Sequence, residues 1–412
     1  MALKDVKLKV SFRMATVNQF STEKVFVPRT EFLPFSPPLV GEEEINEVID
    51  TLRSTWITTG PKTGLFEKEF ASMFGAQAAL GLNSCTAAMH VALTALGIGR
   101  GDEVITTPNT FCSTCNVIEH VGATPVLVDV ERDTMNIDPA KIEAAITRNT
   151  RCILPVHYAG HPAEMDTINL IAQKHGLHVI EDAAHPVSAT YKGQYIGSST
   201  NPTAFSFYAT KNLTTGEGGM LTGTSEFIAK AKIVSLHGMS REAYSRYDKA
   251  GSWKYDVTMA GFKYNMTDAA ASMGLWQLRH LSKNQARRRE IITRYNEGLA
   301  GSEFFEIPTE RPEVRSSWHL YVLRLNLDTL SIDRDVFIEE LKSRNIGSSV
   351  HYIPIHLHTY YREKYGYVPS DFPIAYENYT RMISIPLNVK ITDSEVDDVI
   401  DALYDIATKF KR

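Results

Sequence analysis

The chain has 412 residues, a formal net charge of −5, and 43% hydrophobic and 22% charged residues, enough for two lobes and the core of an ordinary soluble enzyme. That acidic balance argues against a general nucleic-acid binder, which needs a basic footprint, and no apolar run approaches the roughly 20 residues that span a membrane. The opening Met1-Ala2-Leu3-Lys4-Asp5-Val6-Lys7 lacks the apolar core, about 7–15 residues long, of a secretory signal, so a cytoplasmic location is expected.

Residues 1–33 read as an N-terminal extension, followed by the Pro-rich lead-in Pro34-Phe35-Ser36-Pro37-Pro38. Gly41-Glu42-Glu43-Glu44-Ile45 opens a helix to about Arg53, with acids in its first turn where the dipole favours them. Strands are expected at Glu103–Thr107, Pro125–Val130, Cys152–Val156, His178–Glu181, Ala204–Tyr208 and Met220–Thr222. Amphipathic helices at Thr86–Leu96, Pro139–Ile146 and Met165–His175 lie between them. This alternation predicts an α/β fold with a mostly parallel sheet, whose ligands bind outside the carboxyl ends of the strands. Asp182 and Ser206 fall at those ends.

A further helix over Met266–His280 leads into Arg287-Arg288-Arg289, which reads as a solvated helix face in preference to a phosphate site. Beyond about residue 285 lies a second region. It holds strands near Trp318–Leu325, a helix at Asp335–Arg344 and a terminal helix near Asp393–Lys409.

Asn83-Ser84-Cys85-Thr86-Ala87-Ala88-Met89-His90 leads small polar residues straight into a helix. Free backbone N–H groups there, with the Thr86 hydroxyl, make an anion site, although an ordinary N-cap has the same residues. A second hydroxyl at Ser206 favours the anion. In Ala204-Phe205-Ser206-Phe207-Tyr208-Ala209-Thr210-Lys211-Asn212 an apolar strand ends in a hydroxyl residue, a lysine follows, and the turn Thr215-Gly216-Glu217-Gly218-Gly219 comes next. A lysine so placed forms a Schiff base with a carbonyl cofactor while the serine binds the cofactor's anionic handle. His178-Val179-Ile180-Glu181-Asp182-Ala183-Ala184-His185 adds a strand-end carboxylate, Asp182, able to keep a pyridine nitrogen protonated. Nucleophile, carboxylate and phosphate cradle are what a pyridoxal 5′-phosphate enzyme needs.

Phe111 either lies flat on a planar cofactor ring or fills the core. His185 either bonds the ring's phenolic oxygen or fills its loop. Cys112 and Cys115 have C-x-x-C spacing, but Cys85 and Cys152 are too isolated to complete a zinc site, and the pair reads as structural filler. Gly97-Ile98-Gly99-Arg100-Gly101 follows a helix and precedes a strand, so it reads as a tight turn and not as a dinucleotide fingerprint. In His351-Tyr352-Ile353-Pro354-Ile355-His356-Leu357-His358 the proline interrupts the segment and no carboxylate lies nearby, so a substrate loop and no metal is expected.

Asn83–Met89, Asn109–Thr114, Glu181–His185, Ser206–Gly219 and Gly261-Phe262-Lys263-Tyr264-Asn265-Met266 together resemble the DegT-type nucleotide-sugar aminotransferases. The resemblance runs from about Pro34 to the C-terminus. It implies the aspartate-aminotransferase-like, fold type I architecture: a three-layer α/β/α large domain over 34–280 and a smaller α+β domain over 281–412. Trp56-Ile57-Thr58-Thr59-Gly60-Pro61, Pro155-Val156-His157-Tyr158-Ala159-Gly160 and Gly261–Asn265 look most like bacterial enzymes that aminate C4 of UDP-linked 4-keto sugars, such as those forming UDP-4-amino-4-deoxy-L-arabinose.

Under that resemblance Lys211 is the Schiff-base lysine and Asp182 the pyridine partner. Phe111 stacks on the ring, His185 meets its phenolic oxygen, and Thr86, Ala87 and Ser206 bind phosphate. Asn265 reaches the cofactor from a neighbouring subunit, which implies a homodimer with composite sites. Thr59, His351 and His356 are the expected substrate contacts. The implied reaction is ping-pong transfer from L-glutamate, leaving 2-oxoglutarate, to a nucleotide-linked keto sugar. Rival readings are a C3 aminotransferase acting on a UDP- or dTDP-3-keto sugar, and a regulatory member that does not turn over. A sugar dehydratase is disfavoured because relatives of that kind replace the lysine by histidine.

Overall fold

The computed structural model of the protein describes residues 26–239 and 255–412, so residues 1–25 of the expected extension lie outside it. Edge to edge, the main sheet runs through Thr124–Leu127, Glu103–Thr106, Thr150–Ile153 and His178–Val179. It continues through Glu181–Ala183 into Thr203–Ser206, Gly219–Gly223 and Ala78–Leu82. A parallel bridge between Val156 and Asp182 ties the two halves. All pairings are parallel except those of Gly219–Gly223, which is antiparallel to both neighbours.

Alternate residues of these strands serve separate layers. Phe205, Met220, Ile105 and Ile153 join Phe66, Phe70 and Leu275 in one core cluster. Their chain neighbours Ala204, Leu221, Val104 and Cys152 join a second cluster, built on the helix Cys85–Leu96. Burial on both faces explains why the strands read as continuous apolar runs. The expected α/β sandwich is what forms. The helices Met165–His175 and Asp393–Lys409 match the expected ends. Gly97 closes the helix before it at a φ of 79° and Gly101 sits at 92°, so the glycine run is indeed a turn.

Among the elements not expected from sequence are the helix Pro61–Phe74 and the edge strand Ala78–Leu82. Ala78-Ala79-Leu80-Gly81-Leu82 has weak strand propensity; pairing with Gly219–Gly223 along its whole length makes it a strand. The helix Asp268–Leu299 is much longer than the expected Met266–His280. Its second half enters another core cluster through Ile291, Ile292, Tyr295 and Leu299. There it meets the sheet of Phe305–Glu306, Tyr321–Leu325 and Met382–Ile385 and the helices Arg334–Ser343 and Asp393–Lys409.

The arginine run is not a uniform solvated face. Successive helical residues point about 100° apart, so neighbours in sequence part company. Arg287 pairs with Asp393 and Arg289 with Glu310, but Arg288 is buried and donates to the carbonyls of Trp318 and Leu387, each at 3.2 Å. Burial lowers its pKa to about 10.

The fully buried Asp268 fixes the segment that precedes Pro61–Phe74. Its carboxylate accepts the N–H groups of Gly60 (2.7 Å), Lys62 (3.0 Å) and Thr63 (2.9 Å) and the Thr63 hydroxyl (2.6 Å). These are the orphan donors of a helix N-terminus, satisfied from another helix because Gly60 has no side chain to do it. Asp268→Ala should therefore lower stability to urea by about 2–3 kcal/mol, the usual cost of a lost cap plus buried unmet donors. An unchanged urea midpoint would show that the cap is dispensable.

Candidate active site

The carboxyl ends of Glu181–Ala183 and Thr203–Ser206 converge with the start of the helix Cys85–Leu96. Ser84 caps that helix, its hydroxyl accepting the Ala87 N–H at 3.0 Å, so the first turn carrying Thr86 and Ala87 is held in place. Ser206 is paired in register with Gly219. A Cβ added at Gly219 would stand 2.4 Å from the backbone carbon of Ser84 and 2.6 Å from the Cys85 nitrogen. Only glycine lets this strand approach the helix so closely, and the approach brings the Ser206 hydroxyl beside the helix N-terminus. A hydroxyl and the first-turn amides that the Ser84 cap leaves over form a ready anion cradle.

Asp182 lies on the floor of the site, 3% exposed. Its carboxylate accepts the Thr114 hydroxyl at 2.8 Å and the Ala184 N–H at 3.1 Å, and Thr114 is bonded in turn to Thr110 at 2.7 Å. Burial raises the Asp182 pKa, and the two hydrogen bonds and the Lys211 charge pull it back. Lys211 follows the strand end, its N–H bonded to the Tyr208 carbonyl at 2.9 Å. Desolvation lowers its amine from the usual lysine range to about 8, against the raising effect of Cys85 and Asp182. Cys85 is buried between the two, and burial drives its thiol well above the usual value. It is unreactive filler, not a nucleophile.

Phe111 caps the helix Cys112–His120 and is 56% exposed. Its ring centre lies 5.7 Å from that of Tyr352, and a phenyl ring left open there is a platform for a planar ligand. His185 accepts the Ala159 N–H at Nδ1 (3.1 Å), so its Nε2 carries the hydrogen and donates to the Tyr352 hydroxyl at 2.8 Å. His351 stacks on Phe35 with ring centres 5.3 Å apart, and its Nδ1 meets the Ser384 hydroxyl at 2.8 Å. Burial lowers its pKa to about 4, so it is neutral at physiological pH.

The structure therefore gathers Lys211, Asp182, Ser206, Thr86, Ala87, Phe111, His185 and His351 around one end of the sheet. Thr59 and Asn265 form a separate pair beside it. The Asn265 amide donates to the Thr59 hydroxyl at 2.6 Å, and Asn265 bridges to Leu82, next to the Asn83–Ser84 turn. His356 is not in the cluster. It is fully buried in the turn Ile355–Leu357 against the Phe372 ring, and neither ring nitrogen has a partner. Among the described residues no group of three or more His, Cys, Asp or Glu is arranged to hold a metal ion, and no helix is long and apolar enough to cross a membrane.

Three contributors were missed in sequence. His319 is buried, with Nε2 3.3 Å from the Lys211 amine and its ring centre 4.5 Å from that of His185. Tyr352 and Thr114 complete the shell. His319 comes from the far side of the chain with no local pattern to announce it, whereas Tyr352 lies inside the His351–His358 stretch already read as a substrate loop. Thr114 sits one helical turn after Thr110, inside a stretch already singled out.

A family model described as the DegT/DnrJ/EryC1/StrS aminotransferase family matches residues 38–404. The spore coat polysaccharide biosynthesis protein SpsC of Bacillus subtilis is 51% identical over 380 residues, covering 92% of this chain and 98% of its own. The putative sugar aminotransferase Spr1654 from Streptococcus pneumoniae, solved in its PMP-form, superposes with a TM-score of 0.87 at 39% identity, covering 92% of this chain and 99% of that one. Its PLP-form gives 0.85 at 38% identity over the same shares. Helicobacter pylori PseC, an aminotransferase involved in the biosynthesis of pseudoaminic acid, gives 0.85 at 27% identity, covering 92% and 100%.

The lowered amine gives a direct expectation. In cofactor-free protein, acylation of Lys211 by acetic anhydride, followed by mass spectrometry, should be half-maximal near pH 8. Below that pH the amine is protonated and unreactive; above it the amine is free. Half-titration near the ordinary lysine value of about 10.4 would contradict the desolvated site.

Proposed function

The chain belongs to the DegT/DnrJ/EryC1/StrS aminotransferase family, and on that premise we propose that it moves an amino group from L-glutamate to C4 of a UDP-linked 4-keto sugar. That it is a pyridoxal-phosphate-dependent sugar aminotransferase follows from the family and its solved members. The carbon, the nucleotide and the donor are the proposal. The observation that carries the reading is the meeting of a partly buried, desolvated amine, a buried carboxylate and an anion cradle, with an exposed aromatic ring at the edge.

These residues fit the cofactor. The amide and hydroxyl of Thr86 and the hydroxyl of Ser206 would hold its phosphate, with the Ala87 N–H shared between it and the Ser84 cap, since Gly219 brings strand and helix together. Phe111 would cover one face of its ring. Asp182, destabilised by burial, would regain its ordinary acidity opposite a protonated pyridine nitrogen. Bound there, the cofactor supplies an aldehyde that carries nitrogen and a cationic ring that takes up electrons.

The chain supplies the rest. With a pKa of about 8, roughly a tenth of the Lys211 amine is free at neutral pH, enough to act as nucleophile and proton carrier at Nζ. Asp182 keeps negative charge where the ring nitrogen would sit. His185, neutral and bonded to Tyr352, adds no charge of its own.

The C4 reading is supported by the likeness of Trp56–Pro61, Pro155–Gly160 and Gly261–Asn265 to enzymes with that outcome. Pro155–Gly160 also runs alongside the site: the Asp182 N–H donates to the Pro155 carbonyl at 2.9 Å, and Ala159 holds His185. Thr59 and His351 are proposed sugar contacts, and His356 a residue that shapes the His351 loop from beneath.

A homodimer with composite sites belongs to the same proposal. Ile45, Ile49 and Leu52 line one exposed face of the helix Glu42–Arg53, continued by Trp56 and by Ile57 at 55% exposure. A helix stripe of that kind asks for a partner, and it lies next to the Thr59–Asn265 pair. The four unpaired cysteines suit the reducing cytoplasm, where we place the protein.

Phe111→Ala should weaken pyridoxal phosphate binding roughly tenfold, the loss of one aromatic contact, measured by fluorescence titration of cofactor-free protein; an unchanged Kd would remove Phe111 from the cofactor site. Sedimentation should find a dimer that Leu52→Glu dissociates, whereas a monomeric parent would contradict the composite site. The substrate is tested with glutamate and UDP-, dTDP- and GDP-linked 3- and 4-keto sugars, products being identified by NMR. The account expects a 4-amino sugar from a UDP-4-keto substrate. A 3-amino product would overturn the assigned carbon, and turnover of an amino acid–keto acid pair alone would overturn the sugar acceptor.

A further inference from the structure

We propose that His319 is the group that holds the reacting amine of Lys211, accepting one of its hydrogens at Nε2, and that Asn212 fixes the imidazole in the tautomer that permits this. The chain of hydrogen bonds runs inward from a backbone carbonyl. The Asn212 side-chain amide donates through Nδ2 to the Ser317 carbonyl at 2.8 Å, which sets the direction of the amide. Its Oδ1 therefore faces His319, and an amide oxygen only accepts. The Nδ1 of His319, 3.3 Å away, must carry the hydrogen. In a neutral imidazole this leaves Nε2 as a bare lone pair, and that lone pair faces the Lys211 amine at 3.3 Å. The ring stays neutral because it is fully buried among cations and other imidazoles.

The segment bearing His319 is itself fastened to the site. Its N–H donates to the Ala159 carbonyl at 3.0 Å, and the Ser317 hydroxyl donates to the His185 carbonyl at 2.9 Å. Gly160 packs directly beneath, where an added Cβ would come within 2.4 Å of the Ser317 hydroxyl. Lys211, Asn212, His185 and His319 thus form one bonded assembly drawn from three separated stretches of chain.

The consequence concerns the protonated form of Lys211. A neutral lone pair bonds an ammonium more strongly than an amine, so His319 stabilises the lysine when it carries a proton and leaves the free amine oriented when it does not. The groups facing Lys211 are Asp182 and Cys85, which raise its pKa, and the neutral rings of His185, His319 and His351. Among these, His319 is the ring within hydrogen-bond distance of its nitrogen.

The inference rests on reading Lys211 as the reacting lysine, but its test uses cofactor-free protein and stands apart from catalysis. The measured quantity is the pH at which Lys211 acylation is half-maximal. His319→Phe should move that midpoint down by roughly one pH unit, while His319→Gln, whose amide oxygen can take the same hydrogen, stays close to the parent. Should His319→Phe fail to fold, His319→Asn, too short to reach the amine, takes its place with the same expected fall. Circular dichroism establishes folding in each case. A midpoint unmoved in a folded His319→Phe or His319→Asn protein overturns the proposal, and so does an equal fall in His319→Gln. The latter would mean that the ring acts by packing alone.

Discussion

A primary amine and a carboxylate share one water-poor recess, and burial pushes both towards their neutral forms. Lys211 is lowered to about 8 while Asp182 is raised. Neither is at rest in the cofactor-free protein: the amine is short of solvent for its charge, and the carboxylate is short of a cation. A ligand offering an aldehyde to one and a protonated ring nitrogen to the other relieves both, so the affinity of the site and its chemistry share a physical origin. This coupling separates the cluster from an ordinary buried ion pair, which would return both groups towards their usual values.

The rest of the molecule keeps that recess in place. Two parallel strands deliver Asp182 and Ser206 to the same edge, and the lone antiparallel strand brings Gly219 against the start of the helix Cys85–Leu96. The wall opposite is carried in from the C-terminal part of the chain by Ser317–His319 and by His351–Tyr352. Phe35 and Ser36 reach it as well: Phe35 stacks on His351, and the Ser36 hydroxyl lies 3.5 Å from the Thr210 carbonyl. Leu33 bridges to Ile346 on the way, so the proline-rich lead-in follows the second region before it arrives at the site. The site is thus a seam between the main sheet and the C-terminal part, closed by the N-terminal strap.

What could be read from sequence follows from how local each signal is. Lys211, Ser206 and Asp182 stand at the ends of apolar strands, where ligands of parallel sheets bind, and that rule needs only the chain around them. His319 reaches the site through tertiary folding alone, and nothing beside it in sequence marks it, whereas Tyr352 was in a marked loop but not itself singled out. Arg288 shows the converse error. Three arginines in a row look solvated, yet the helix turns the middle one inward to serve two carbonyls. The strand Ala78–Leu82 was invisible because its residues do not favour extended structure and only the neighbouring strand imposes it. His356 stood out as one of a histidine series, whereas in the fold it is a buried ring under the loop that carries His351.

The covalent link between the cofactor's aldehyde and the Lys211 nitrogen is the point on which the account turns. The most direct measurement is borohydride reduction of the pyridoxal-phosphate-loaded protein, followed by proteolysis and mass spectrometry of the pyridoxyl-bearing peptide. The account predicts a single adduct on Lys211, absent from Lys211→Ala protein. An adduct on another lysine, or the same yield from Lys211→Ala, would contradict it.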